Sequence, residues 1–209
     1  MAEAMIRSRN PGSNERGRHG RMRIDTNTGL LEGVRQVGSP NCDERPAGVP
    51  VSLLVIHNIS LPPGEFGGHW IDALFTNTLD PAAHPYFRTI AGQRVSAHLL
   101  IRRDGEVVQY VPFHRRAWHA GRSCFRGREC CNDFSIGIEL EGCDELPYEA
   151  VQYERLIALT RSLMACYPAI GPGRIVGHSD IAPGRKSDPG PAFDWERYLG
   201  ALRDGACTG

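Results

Sequence analysis

The chain has 209 residues, enough for one domain around a single core. Its 24 Lys and Arg balance 24 Asp and Glu, so no global field gathers nucleic acid or an anionic membrane. No apolar run reaches the ~20 residues that cross a bilayer. The seven cysteines, Cys42, Cys124, Cys130, Cys131, Cys143, Cys166 and Cys207, are odd in number, irregularly spaced and without a C-x-x-C pair. They read as reduced thiols of a cytoplasmic protein rather than as a disulfide framework or a zinc ribbon.

Residues 1–21 carry Arg7, Arg9, Arg16, Arg18 and Arg21 with almost nothing apolar. Lacking a hydrophobic stretch, they are no secretory signal and read as a disordered basic leader. The folded domain is expected over residues 22–205. Residues 23–50, rich in Asn, Pro and Gly, read as an irregular approach. Val51–Ile56 is a short apolar run of the kind covered on both faces, which predicts a strand ending at His57 and Asn58. A short helix is expected within 69–79 and irregular chain over 80–93.

Arg94–Pro112 reads as a hairpin turning at Asp104-Gly105. Phe134 to Gly142 alternates with period two: Phe134, Ile136, Ile138 and Leu140 fall on one face, Gly137, Glu139 and Glu141 on the other. Helical spacing over Pro147–Tyr167 predicts a helix stopped by Pro168 and Gly171. A brief strand, Arg174–Val176, then leads into Gly177–Gly190, a polar loop stiffened by Pro183 and Pro189. Residues 194–203 read as a closing helix capped by Asp194.

Three side chains have the chemistry of a catalytic zinc site, which takes His and carboxylate ligands and leaves one position open: His57, His178 and Asp188. Spacing alone does not unite them, since His57 also suits a satisfied strand-end histidine and His178 a turn cap. Glu139, in an apolar strand with Gly137 beside it on the same face, suits a general base with a raised pKa. A half-exposed strand would instead turn it to solvent, and Glu141 is its rival. Lys186 suits an oxyanion-stabilising cation or a solvated lysine.

The ordered motifs V-I-H-N, S-A-H with the D-G turn, A-W-H-A-G, N-D-F-S-I-G-I-E-L-E-G and G-H-S-D-I-A-P-x-R-K-x-D-P-G resemble zinc amidases of the peptidoglycan-recognition and phage-lysozyme type. Within them the chain is most similar to the AmpD-type 1,6-anhydro-N-acetylmuramyl-L-alanine amidases, over about Met22 to Arg203. That resemblance implies a single α/β domain, a mixed sheet flanked by helices. It implies Zn2+ on His57, His178 and Asp188, with Glu139 and Lys186 catalytic. Asp at 188, where phage-type relatives usually carry Cys, points to the AmpD branch. Gly184 and Ser187 depart from that branch's loop without removing a catalytic group.

The expected reaction is hydrolysis of the amide joining anhydro-N-acetylmuramic acid to L-alanine in peptidoglycan recycling, by a cytoplasmic monomer. Expected partners are muropeptides, with no nucleic acid and no membrane. Asn58, Arg94, Trp118 and His119 are the expected substrate contacts. An amidase of intact peptidoglycan and a non-cutting muropeptide-binding module are the competing readings.

Overall fold

The computed structural model describes residues 22–204. The basic leader of residues 1–21 and Cys207 therefore lie outside the described residues. Six strands form one mixed sheet: β1 (Arg35–Gln36), β2 (Leu53–Ile59), β3 (Leu99–Ile101), β4 (Val107–Gln109), β5 (Ser135–Glu141) and β6 (Ile175–Gly177), in spatial order β6-β2-β5-β3-β4-β1. All neighbours run parallel except β3 and β4, the two arms of the expected hairpin. The hairpin is shorter than expected, because residues 94–98 lie outside the ladder.

The two central strands are buried along their length because both faces of the sheet are covered. On one face, Leu54, Ile56, Ile136, Ile138 and Leu140 pack against α3 (Ala150–Cys166) and α5 (Trp195–Asp204) through Tyr153, Leu156, Leu163, Tyr198 and Leu202. A side chain such as Leu156, fully buried here, contributes roughly 1.5–3 kcal/mol. Glu149 and Gln152 form a reciprocal capping box that starts α3. Asp194 caps α5, its carboxylate accepting from the Arg197 N–H at 2.8 Å.

The opposite face carries the odd-numbered positions of β2 and β5 and is covered by α1 (Trp70–Phe75), α2 (Pro85–Thr89), α4 (His178–Ile181) and their loops. Here Leu53 and Val55 pack with Phe134 and Ile181. Phe134 therefore departs from the expected alternation: it closes a 3-10 turn ahead of β5 and joins the other cluster from Ile136.

Three further expectations need correction. Strand β2 runs on through His57 and Asn58 to Ile59, because β5 offers a parallel partner at each of those positions. Residues 80–93 contain α2, anchored by the buried Phe87. The approach segment supplies β1 at the sheet edge, where it pairs with β4. Among the described residues no helix is long and apolar enough to cross a membrane.

Candidate active site

Parallel pairing sets the site. His57 on β2 lies in register with Glu139 on β5, so both side chains leave the sheet on the same face. The third contribution comes from the loop after β6. Gly177 N–H donates to Asp180 Oδ2 at 2.7 Å, which starts the single turn of α4 at His178. Ser179 N–H then donates to the Asp188 carbonyl at 3.0 Å, folding the loop back so that Asp188 returns beside His178.

The result is a triangle of three donor atoms. His57 Nδ1 lies 3.0 Å from His178 Nδ1 and 3.1 Å from Asp188 Oδ2, and His178 Nδ1 lies 3.0 Å from the same oxygen. His178 Nε2 faces the Ala120 carbonyl at 3.1 Å. A carbonyl only accepts, so the His178 proton belongs on Nε2 and its Nδ1 presents a lone pair. Two imidazole lone pairs and a carboxylate oxygen converging within about 3 Å repel one another unless a cation sits among them. The donor set therefore fits a metal ion.

Burial pushes the His57 imidazole down to about 4, against the raising effect of Asp188, so it is neutral and ready to ligate at ordinary pH. Burial alone would raise the Asp188 carboxyl, but the imidazoles of His178 and His57 beside it outweigh burial and hold the group below the usual carboxylate range.

The triangle forms one end of a cleft of about 320 Å³ whose lining includes Asn58, Ser60, Tyr86, Ser96, Glu139 and Lys186. Glu139 is 9% exposed, and its Oε2 is buried with no hydrogen-bond partner in the protein. Burial, reinforced by the nearby Asp188 charge and eased by Lys186, raises its pKa well above the ordinary carboxylate value. That combination suits a group that takes and returns protons. Lys186 is exposed and lines the same cleft.

The four expected substrate contacts separate. Asn58 lines the cleft, but its amide N–H groups donate to Asp144 Oδ1 at 2.7 Å and to the Pro189 carbonyl at 3.1 Å, so it fastens the Asp188 loop to the sheet. Gly190 has φ of +79°, and a Cβ there would collide with Asp144, so only glycine lets those loops meet. Arg94 is exposed between the cleft residues Gln93 and Val95. Trp118 is half-buried, its indole against the Asp43 carboxylate; it is not among the cleft-lining residues, though its backbone N–H donates to the cleft residue Ser96 at 3.1 Å. His119 also lines the cleft but is mostly buried, its Nδ1 2.9 Å from His57 Nε2.

Sequence reasoning missed Tyr86, an exposed aromatic on the cleft wall, because its segment showed no helical period. It also missed Asp144 and Ala120, whose roles depend on an anchoring contact and a backbone carbonyl. No side-chain pattern reports either.

With this geometry in hand, comparison with known proteins is specific. The Amidase_2 family, N-acetylmuramoyl-L-alanine amidase, matches residues 47–191. The chain is 66% identical over 170 residues to the 1,6-anhydro-N-acetylmuramyl-L-alanine amidase AmpD of Escherichia coli (strain K12), covering 81% of this chain and 92% of that protein. A crystal structure of a selenomethionine AmpD derivative superposes with TM-score 0.84 at 62% identity, covering 87% of this chain and 99% of that one. A complex of E. coli AmiD with anhydro-N-acetylmuramic acid-L-Ala-D-gamma-Glu-L-Lys superposes with TM-score 0.53 at 32% identity, covering 77% and 65%. The family match over most of the chain and the 66% identity to an AmpD relative place the protein in the N-acetylmuramoyl-L-alanine amidase family.

Proposed function

We propose that the chain is a zinc amidase that cleaves the amide between anhydro-N-acetylmuramic acid and L-alanine in soluble muropeptides released by peptidoglycan turnover. The observation that carries this reading is the His57–His178–Asp188 triangle with the unpartnered Glu139 oxygen on the same cleft. The names of the AmpD relatives and the anhydromuropeptide in the AmiD complex support the substrate class.

His57 Nδ1, His178 Nδ1 and Asp188 would hold the zinc. Ligand atoms on tetrahedral zinc stand about 3.3 Å apart, close to the 3.0–3.1 Å edges observed. When bound, zinc acidifies water toward neutrality and polarises a carbonyl. Glu139 accepts the proton of the attacking water and returns it to the departing alanine amine. Its raised pKa makes the second transfer as accessible as the first. Lys186 places a cation where the carbonyl oxygen gains charge. Asn58 and Asp144 keep the Asp188 loop docked against the sheet. The free thiols of Cys42, Cys124, Cys130, Cys131, Cys143 and Cys166 suit a reducing compartment, and we assign the enzyme to the cytoplasm.

The test is hydrolysis of anhydro-muramyl-tripeptide against its non-anhydro counterpart, followed by mass spectrometry with and without a chelator. We expect chelator-sensitive cleavage at the lactyl–alanine amide, much faster for the anhydro sugar. Equal rates would replace this reading with a general wall amidase. Zinc binding without cleavage would replace it with a muropeptide-binding module.

A further inference from the structure

We propose that His119 is a positioning residue for the metal ligand His57: it accepts the His57 Nε2–H, passes a hydrogen bond on to Ser135, and so keeps the His57 Nδ1 lone pair aimed into the triangle. The inference rests on the metal-site reading above.

The two histidine ligands are oriented in different ways. The proton of His178 is set by the Ala120 carbonyl, 3.1 Å from its Nε2, which can only accept. His57 has no carbonyl behind it. Its Nε2 instead meets His119 Nδ1 at 2.9 Å, the two rings standing edge to face at 86°. An imidazole can donate or accept at that position, and so can the serine hydroxyl beyond it, so the direction follows from the state of His57 Nδ1. His119 Nε2 lies 2.9 Å from Ser135 Oγ. When His57 ligates through Nδ1, its proton sits on Nε2 and points at His119 Nδ1. His119 then carries its own proton on Nε2 and donates it to Ser135. Both imidazoles are satisfied in this arrangement, and the chain runs from His57 to the buried Ser135 hydroxyl.

The fold is built to seat this ring. A Cβ on Gly137 would stand 2.5 Å from His119 Cγ and Nδ1, so the glycine expected to leave room on the face of β5 leaves it for His119. The backbone N–H groups of His119 and Ala120 both donate to Asn132 Oδ1, at 3.2 and 2.8 Å. Two adjacent residues thus orient both histidine ligands, His119 with its ring and Ala120 with its carbonyl. Both ring nitrogens of His119 are engaged within the protein, which leaves none for a sugar hydroxyl. The role differs from the substrate contact expected from sequence.

The experiment measures zinc affinity of the full chain by competition with a chromophoric chelator, beside kcat and KM. His119→Leu removes the acceptor and should weaken zinc about 10–100-fold. His119→Asn sets an amide oxygen near the place of Nδ1 and should recover most of that loss. Gly137→Ala, which keeps every ligand and His119, should weaken zinc in the same direction by displacing the ring.

Wild-type zinc affinity in folded His119→Leu, or His119→Asn as weak as His119→Leu, would overturn the proposal. A raised KM at unchanged zinc affinity would also overturn it and return His119 to the substrate. If His119→Leu does not fold, wild-type affinity in Gly137→Ala overturns the proposal. Failure of the wild-type chain to bind zinc would instead remove the metal-site reading itself.

Discussion

Glu139 and Glu141 stand two residues apart on β5, point to the same face and are both buried, yet they do opposite things. Glu141 is 2% exposed and saturated. Its Oε1 accepts from Gly67 N–H at 2.7 Å and from Arg102 at 3.2 Å, and its Oε2 accepts from Arg103 N–H at 3.1 Å. Arg102 is shared in turn with Asp72 and Glu106. These contacts tie the loop after β2 and the hairpin turn to β5. Glu139 has an orphaned oxygen, an open cleft in front and a carboxylate neighbour, Asp188. A buried carboxyl without a partner costs stability, and here the cost falls beside the His57–His178–Asp188 triangle. Burial alone does not mark a catalytic carboxylate; a missing partner beside a ligand cluster does.

The largest effect that tests this contrast is Glu139→Gln. It should lower kcat by about 10²–10⁴-fold while zinc content, measured by atomic absorption, stays at the wild-type level. Full activity would remove Glu139 from the proton-transfer role. Next comes Glu141→Ala, which strips the acceptor from Arg102 and two backbone N–H groups. Breaking such a buried pair costs about 3–5 kcal/mol. We expect the low end in urea unfolding, since Arg102 keeps Asp72 and Glu106, with the turnover of folded enzyme unchanged. A folded but inactive Glu141→Ala protein would break the contrast.

The smallest effect is a pH slope in the metal-free protein. The pKa of Glu139 is raised in the fold, so above the ordinary carboxylate value the unfolded chain ionises first. The folded state then holds the extra proton, and stability falls as pH rises toward the raised pKa. The buried imidazoles of His57, held to about 4, and His98, held to about 3, act the other way. With depressed values they lose stability as pH drops below the ordinary histidine range. Urea midpoints of wild type and Glu139→Gln, compared across pH, isolate the glutamate. Their difference should widen by up to about 1.4 kcal/mol per pH unit above pH ~4.5. A constant difference would mean that Glu139 is ionised in the fold at its ordinary pKa.

Local pattern alone determined much of this protein. The apolar run before His57, the period-two alternation through Glu139 and the helical spacing after Pro147 are consequences of a sheet covered on both faces and a helix with one buried side. The ordered motifs were enough to single out His57, His178, Asp188, Glu139 and Lys186, which the fold brings to one cleft, because their chemistry is written in residue type. Short elements escaped: α2 and β1 are five and two residues long and are held by packing and by a partner strand rather than by their own propensity. Tertiary structure decided that β2 continues through His57, that Glu139 rather than Glu141 lacks partners, and that Asn58 and His119 are engaged by other protein groups. In each case the deciding donors and acceptors lie far along the chain: Arg102 39 residues from Glu141, Asp144 86 from Asn58 and His119 62 from His57. Periodicity reports which way a side chain leaves its own strand or helix. What it meets there depends on loops whose return is set by the fold as a whole.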